Sequence, residues 1–401
     1  MKVCFETFGC RLNRAEALQM EAEYLAKGWE LAEGHSDADL FVVRGCSVTR
    51  RAQRDCEKLI EHLKQKYPTV PVRICGCLTA AAGSGRPEMN DGNPSLGRPE
   101  PAPTAIPTRT ARAYLKCQDG CSGKCTFCIV PRFRGASVSV PFDELTERAR
   151  RFIDAGYHEI VLTGCNLALY ASGGKRLPEL VAALAELSPD CRIRIGSVEP
   201  GRCALETVEA MAQHENVCRF LHVPVQSGSN AILASMKRPY VIRDVEALVS
   251  LALKRMPLIG LGCDMMTGFP GETPVDFEMS KGLLRRLPFS NVHVFPYSER
   301  FGTLAAAFPG AVPTDLRRAR AHELSDIASR ARQRTARRFV GRNVELVVED
   351  ERKLTGWTGE YFFCKITNGN RANVRRKDLV RARVLEARND LLSAIMLKSA
   401  R

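Results

Sequence analysis

No stretch of this 401-residue chain stays apolar for the roughly 20 residues that a helix needs to cross a bilayer. The amino terminus, MKVCFETFGC, also lacks the basic segment followed by about 7 to 15 apolar residues that marks an export leader. These two absences predict a cytoplasmic protein with no membrane contact. There the 16 cysteines stay reduced, and clustered ones read as metal ligands rather than disulfides. Acid is the third shortage, since 45 Asp and Glu against 59 Lys and Arg leave a net charge of +14. Of this, +10 falls between Thr314 and Arg401, where 21 basic residues face 11 acidic ones. The asymmetry points to a polyanionic partner, with a solvated arginine-rich helix face as the plainer alternative. With 45% hydrophobic and 26% charged residues the chain can bury sizeable cores, and its length predicts two or three domains.

What is present is alternation. From Val3 to Cys77 the pattern reads strand, helix, strand, helix, strand: VCFETFGC, a helix from Asn13 to Lys27, LFVVRGC, a helix from Arg50 to Tyr67, and VRICGC. This predicts a small parallel α/β domain over residues 1–80. Its strands run into Gly-Cys pairs at Cys10, Cys46 and Cys77. Ligands of open parallel sheets sit beyond the carboxyl ends of the strands, so the three thiols are placed to converge. Aligning the strands on their glycines puts Cys77 level with Cys10 and Cys46, and Cys75 level with Phe8 and Arg44. Cys77 is therefore expected to complete the trio, and Cys75 to be packed. Residues 81–110 hold six prolines and four glycines in thirty positions and are expected to form a linker.

A longer alternation covers residues 111–312, with strands in AYLKC, HEIVLTG, RIRIGSV, RFLHVPV, LIGLGCDMMTG and NVHVFPY. Helices between them include Glu144 to Ala155, Leu205 to His214, Arg243 to Leu253 and Val275 to Leu287. Six strand-helix units predict a partial parallel (β/α)6 barrel with its active site at the carboxyl ends of the strands, where TGCN, GSVEP, VQSGS and TGFPGET fall. A basic connecting helix over 313–338 is expected to begin near Pro313-Thr314, with Thr314 as its cap, and to run to about Phe339. Residues 339–401, with NVELVVED, GEYFFCKI and LVRARVLEA, read as a small β-barrel. The fold class is thus α/β in three parts.

Near the start of the longer alternation stands KCQDGCSGKCTFCIVPRFRG, with Cys117, Cys121, Cys125 and Cys128. A structural zinc site normally shows two close ligand pairs separated by a longer loop, and that arrangement is missing. The spacing from Cys121 to Cys125 to Cys128 suits three thiolates on one compact loop. A four-iron cube held by three cysteines leaves one iron open for chemistry. Zinc would recruit Cys117; otherwise Cys117 is a small buried side chain at a strand end.

The Cys-x3-Cys-x2-Cys spacing, with Phe127 before the last cysteine, resembles the signature of radical S-adenosylmethionine enzymes. TFGCRLN, EIVLTGCN, IRIGSVEP, HVPVQSGS, TGFPGET and HVFPYSERFGT are similar to motifs of the methylthiotransferases among them, most like the MtaB-type tRNA branch. The resemblance runs from about Lys2 to Ala80 and from Tyr114 to Arg401. It implies a first 4Fe-4S cluster on Cys121, Cys125 and Cys128 that binds and cleaves S-adenosyl-L-methionine, and a second on Cys10, Cys46 and Cys77 that supplies sulfur. It implies methylthiolation at C2 of N6-threonylcarbamoyladenosine immediately 3′ of the anticodon. Phe127, Gly164, Ser197, Glu199 and Gln226 match positions lining the S-adenosylmethionine site. The carboxyl-terminal barrel resembles the RNA-binding TRAM domain, with Arg371, Arg375, Arg376, Lys377, Arg381 and Arg383 as phosphate contacts. Trp357, Tyr361 and Phe362 either stack on bases or, more in keeping with a small barrel, form core. The partners implied are tRNA and an external electron donor such as a flavodoxin or ferredoxin, with the enzyme a monomer. A ribosomal-protein aspartate methylthiotransferase and a non-catalytic, metal-containing RNA-binding protein are the competing readings.

Overall fold

The computed structural model describes residues 1–78, 110–368, 374–388 and 390–397. The expected linker, apart from Thr110, and Arg371 lie outside the described residues. In the first part the parallel strands stand in the order Glu30–Leu31, Lys2–Thr7, Leu40–Gly45, Val72–Gly76. Glu30–Leu31 escaped the pattern because two residues carry no periodicity. The strand Leu40–Gly45 is buried on both faces, as parallel strands are. Phe41 and Val43 pack with Cys56, Ile60 and Leu63 of the helix Arg50–Lys66, and Val42 packs with Val3 and Cys75 on the other face. The glycine alignment holds between Gly45 and Gly76 but slips at the first strand, where Thr7 rather than Phe8 stands level with Arg44 and Cys75. The extra residue is taken up at Gly9, whose φ of +95° only glycine adopts without strain.

The second part holds six parallel strands. Ala113–Lys116, Glu159–Thr163 and Arg192–Arg194 form one sheet, and Phe220–Gln226, Gly260–Thr267 and Asn291–Pro296 another. Parallel bridges from Ile193 to Val217 and from Ser197 to His222 join them into the partial barrel that the alternation predicts. Side chains alternate across these strands. Leu221, Val223, Val225, Leu261, Cys263 and Met265 join the core under the outer helices, leaving His222, Gln226 and Asp264 on the lumen side. Cys117 is wholly buried in that core, as expected.

The helix Thr314–Arg337 begins without a side-chain cap. Pro313 takes the cap position, Thr314 is already helical, and Asp315 supplies the negative charge that a first turn favours, which corrects the expected role of Thr314. Part of the helix's positive charge is internal: Arg320 pairs with Glu272 at 2.6 Å and Arg317 with Glu299 at 2.9 Å. A closed β-barrel follows, in the order Asn343–Asp350, Thr355–Thr358, Phe363–Ile366, Leu391–Met396, Leu379–Arg388. The expected strand in GEYFFCKI starts only at Phe363, because Gly359–Phe362 turn, with Tyr361 at φ +67°.

This small barrel docks on the amino ends of the central strands. Glu159, which opens its strand, is buried against Arg194 at 2.7 Å, with Arg192 and Arg112 beside it. The terminal nitrogens of Arg192 and Arg194 also donate to the carbonyls of Glu345, Trp357, Thr358 and Gly359. Tyr361 stacks on Phe220 and on Trp357, each at 4.6 Å, with Arg11 and Arg194 over its ring. Phe362 is core. Trp357 and Tyr361 therefore join domains while Phe362 fills the small barrel, in line with the core alternative. No helix among the described residues is long and apolar enough to cross a membrane.

Candidate active site

Cys10, Cys46 and Cys77 follow the ends of three adjacent strands, and Cys46 lies near enough to Cys77 and Cys10 to feel their charge. Cys10 is exposed, whereas Cys46 and Cys77 are buried. Burial pushes the Cys46 thiol up to about 11 and raises Cys77 as well, against the lowering charge of Arg134. The glycines beside them are needed for close approach. A Cβ on Gly9 would lie 2.8 Å from Cys46 Sγ, and one on Gly76, at φ +84°, 2.7 Å from the Gly45 carbonyl. Cys75 points away into the packed face, with Arg44 Nη1 at 3.8 Å. The structure thus separates Cys77 from Cys75 as expected.

The second trio sits on the loop before the short helix Val130–Arg134. Cys121 N–H donates to the Gly135 carbonyl at 3.0 Å, and Cys128 N–H to the Cys125 carbonyl at 3.2 Å. Gly123 N–H donates to Cys121 Sγ at 3.3 Å, and a side chain there would crowd the Cys121 and Cys125 sulfurs. Burial pushes Cys128 up to about 12. Phe127 packs edge-on against Phe269.

Both thiol trios are splayed. Thiolates around one tetrahedral zinc lie about 3.8 Å apart. Among the described residues, side-chain trios that close to within 4.8 Å are Cys4 with Glu6 and His35, and His222 with Asp264 and His293, and neither cysteine trio is among them. The donor sets fit a wider inorganic body, as an iron-sulfur cube is, better than a single ion.

Beside the loop trio, Gly164, Ser197, Glu199 and Gln226 all fall at or just beyond the carboxyl ends of their strands. A Cβ on Gly164 would meet Gln118 Oε1 at 2.9 Å. Glu199 accepts from Asn166 Nδ2 at 3.0 Å and from Arg238 Nη2. Gln226 ends its strand at φ +70°, and its buried Oε1 has no hydrogen-bond partner among the described residues. A strained backbone presenting an orphaned polar atom into a lumen fits a ligand contact. These groups suit S-adenosylmethionine, whose amino acid end needs both donors and acceptors.

Sequence reasoning missed the charges that join the two trios. Arg134 Nε points at Cys77 Sγ from 3.3 Å. The same guanidinium pairs with Glu16 and Asp119, both at 2.9 Å, and donates to Asn13 Oδ1 at 2.9 Å. Glu16 also meets Lys116 at 2.8 Å and Arg44. Burial works against ionising Glu16, but Arg44, Lys116 and Arg134 outweigh it and hold the carboxyl far below its usual range. Arg238, similarly overlooked, places Nη1 3.0 Å from Cys125 Sγ. In the lumen, Asp264 lies between His222 at 3.1 Å and His293 at 3.3 Å. The motifs HVPVQ and HVFPY contain these histidines, but no local spacing signals the pairing.

The expected phosphate contacts are mixed. Arg375 and Arg383 are exposed. Arg376 bonds the Glu349 carbonyl, and Arg381 pairs with Glu345 at 2.8 Å. Lys377 is turned inward, with Nζ 3.7 Å from the Tyr157 ring centre and 3.4 Å from the Ala155 carbonyl.

A partial parallel barrel with a three-thiol loop and an orphaned glutamine at the carboxyl ends of its strands defines a radical S-adenosylmethionine enzyme. The family described as "Radical SAM superfamily" matches residues 115–284, and that described as "Uncharacterized protein family UPF0004" matches residues 2–91. A tRNA-2-methylthio-N(6)-dimethylallyladenosine synthase of Chlorobium limicola is 30% identical over 399 residues, covering 89% of this chain and 90% of that protein. A threonylcarbamoyladenosine tRNA methylthiotransferase MtaB of Thermotoga maritima is 29% identical over 97% of this chain and 98% of its own. Among solved structures, the radical S-adenosylmethionine methyltransferase TsrM from Kitasatospora setae shares the fold at a TM-score of 0.54, with 14% identity over 76% of this chain and 77% of that one. The chain belongs to the radical S-adenosylmethionine methylthiotransferases, enzymes that work with that cofactor and 4Fe-4S clusters.

Proposed function

We propose that this enzyme methylthiolates C2 of N6-threonylcarbamoyladenosine immediately 3′ of the anticodon in tRNA. The observation that carries the reading is the buried contact between the parts that hold the two cysteine trios, where Arg134, six residues after Cys128, reaches Cys77 and Glu16. Relatives of both the threonylcarbamoyl and the dimethylallyl type support a tRNA substrate.

In this reading Cys121, Cys125 and Cys128 hold one 4Fe-4S cluster, and Cys10, Cys46 and Cys77 the other. When bound, the clusters and S-adenosylmethionine supply an electron, a carbon-activating radical, sulfur and a methyl group. The chain's own groups bind and orient. Phe127, Gly164, Ser197, Glu199 and Gln226 line the S-adenosylmethionine site, and Arg238 fixes Glu199 beside Cys125. Arg134 donates to Cys77 and steadies the sulfur of the second trio. Residues 1–80, 111–312 and 339–401 act as sulfur-supplying, radical-generating and RNA-binding domains. Arg371, Arg375, Arg376, Arg381 and Arg383 contact phosphates, which gives affinity but little sequence information. A flavodoxin or ferredoxin feeds the electron to a monomeric enzyme in the cytoplasm.

The test is mass spectrometry of tRNA nucleosides from cells with and without the gene. Loss of the methylthio derivative of threonylcarbamoyladenosine is expected. Loss of the dimethylallyl derivative instead would assign the enzyme to the branch of the Chlorobium limicola relative.

A further inference from the structure

Beside that buried contact lies a cleft of about 1300 Å³ between the helix Arg50–Lys66, the turn after the strand Asn291–Pro296, and the start of the helix Thr314–Arg337. Seven arginines and two glutamates line it. Arg300 and Arg317 are engaged inside the fold, the first with the Ser47 carbonyl and Gln53, the second with Glu299. Arg50, Arg51, Arg54, Arg132 and Arg318 are exposed. Their pairing is weak: Arg50 reaches Glu299 only at 4.0 Å, Arg51 reaches Asp55 at 3.9 Å and Arg318 reaches the exposed Asp315 at 3.4 Å, while Arg54 and Arg132 have no carboxylate partner among the described residues. Arg50 and Arg51 also occupy the first turn of their helix, which has no acidic residue and where cations oppose the macrodipole. Nothing inside the fold rewards this concentration of charge.

The rim carries Phe301, 93% exposed, with the Arg132 guanidinium 5.9 Å from its ring centre. Gly302 keeps that arrangement open, since a Cβ there would fall 1.7 Å from Arg132 Nη1. A bare aromatic face beside a guanidinium is how single-stranded RNA bases are stacked. The cleft also adjoins the chemistry. Ile129, which follows Cys128, lines it, and Arg300 holds the carbonyl of Ser47, whose hydroxyl donates to the Cys77 carbonyl at 2.6 Å. The small β-barrel, by contrast, is docked at the opposite ends of the strands.

We propose that this cleft receives the single-stranded loop of the RNA substrate, with phosphates on Arg50, Arg51, Arg54, Arg132 and Arg318 and one base on Phe301. The inference rests on the tRNA reading above. An acidic electron-carrier protein shares the charge complementarity, but a concave cleft with one bare ring on its rim suits a strand of separable bases better than a folded convex surface.

The experiment uses holoenzyme carrying both clusters and an unmodified anticodon-arm hairpin, with affinity followed by anisotropy across a salt series. Replacing Arg51→Gln, Arg54→Gln and Arg132→Gln together is expected to reduce the salt slope by about 2, at about 0.7 for each single-strand phosphate no longer neutralised. Phe301→Ala is expected to weaken the hairpin about 10-fold and to leave a loopless duplex of the same stem unaffected. Iron content and the thermal midpoint establish that folded holoenzymes are compared. Parent-like slope and affinity in both variants would overturn the cleft as the RNA site, as would unchanged RNA binding with slowed reduction by an acidic flavin carrier. If the parent itself binds no hairpin, the tRNA reading falls first and takes the cleft with it.

Discussion

Glu16 and Glu159 are both buried carboxylates caged by three cations, yet their cages have different owners. Arg44, Lys116 and Arg134 surround Glu16; Arg44 comes from the first domain, while Lys116 and Arg134 come from the barrel. The Glu159 cage of Arg112, Arg192 and Arg194 belongs to the barrel alone, and the terminal nitrogens of the last two also reach backbone carbonyls of the small β-barrel. Desolvating so many charges is costly, and a buried ion pair is weak evidence of stability for its own sake. The difference lies in what each cage touches. Arg134 touches Cys77, so the first cage reaches a thiol proposed as a cluster ligand. The second ties two domains together and touches no cluster ligand.

The largest expected contrast between the two ends is in iron. Cys77→Ala should lower reconstituted iron from about eight to about four per chain and abolish methylthiolated product. Cys218→Ala, which removes the thiol 3.8 Å from Glu159, should keep all of both. Iron loss in Cys218→Ala would erase the distinction.

Next in size, Glu16→Gln and Glu159→Gln each leave buried cations underpaired and should cost about 3 to 5 kcal/mol in denaturant unfolding. Per folded molecule, only Glu16→Gln should also lose methylthiolation. Equal activity losses would show that the second cage reaches the chemistry after all.

A smaller effect, common to the two cages, is expected with pH. Both carboxyls are depressed in the folded chain, so their stabilisation is complete above the ordinary value of 4.5 and is lost as pH falls toward the depressed folded value. Acid unfolding of the cluster-free chain should therefore take up one fewer proton below pH 4.5 in either glutamine variant. Parent-like proton uptake in Glu159→Gln would mean that its cage is not ionised.

The smallest effect is expected from Cys75→Ala, about 1 kcal/mol from the lost packing, with iron unchanged. This variant isolates the trio from the sheet that carries it.

The parts that were legible in sequence were those written in local spacing. Six strand-helix units gave the central barrel because period and punctuation persist along each unit, and the Gly-Cys repeats set Cys77 apart from a Cys75 that the sheet packs. Even there the register slipped by one at Thr7, since Gly9 absorbs a residue that no alignment on glycines can see. Nothing local marks Glu16, Arg44, Lys116 and Arg134 as one buried group, because compensation between residues 118 positions apart has no period. Gln226 gave no sign of its φ of +70°, and Tyr361 gave none of its place where three domains meet.

The turn from Trp357 to Tyr361 lies across the amino ends of the central strands, so the barrel has a floor. The consequence is one of traffic. Whatever enters must use the opposite mouth, where the cysteine trios also lie. A small cofactor has to be seated before a macromolecule covers that mouth, and its spent fragments can leave only after the macromolecule moves. An ordered turnover, with the large product leaving before the next cofactor enters, is the outcome expected if the large substrate covers that mouth.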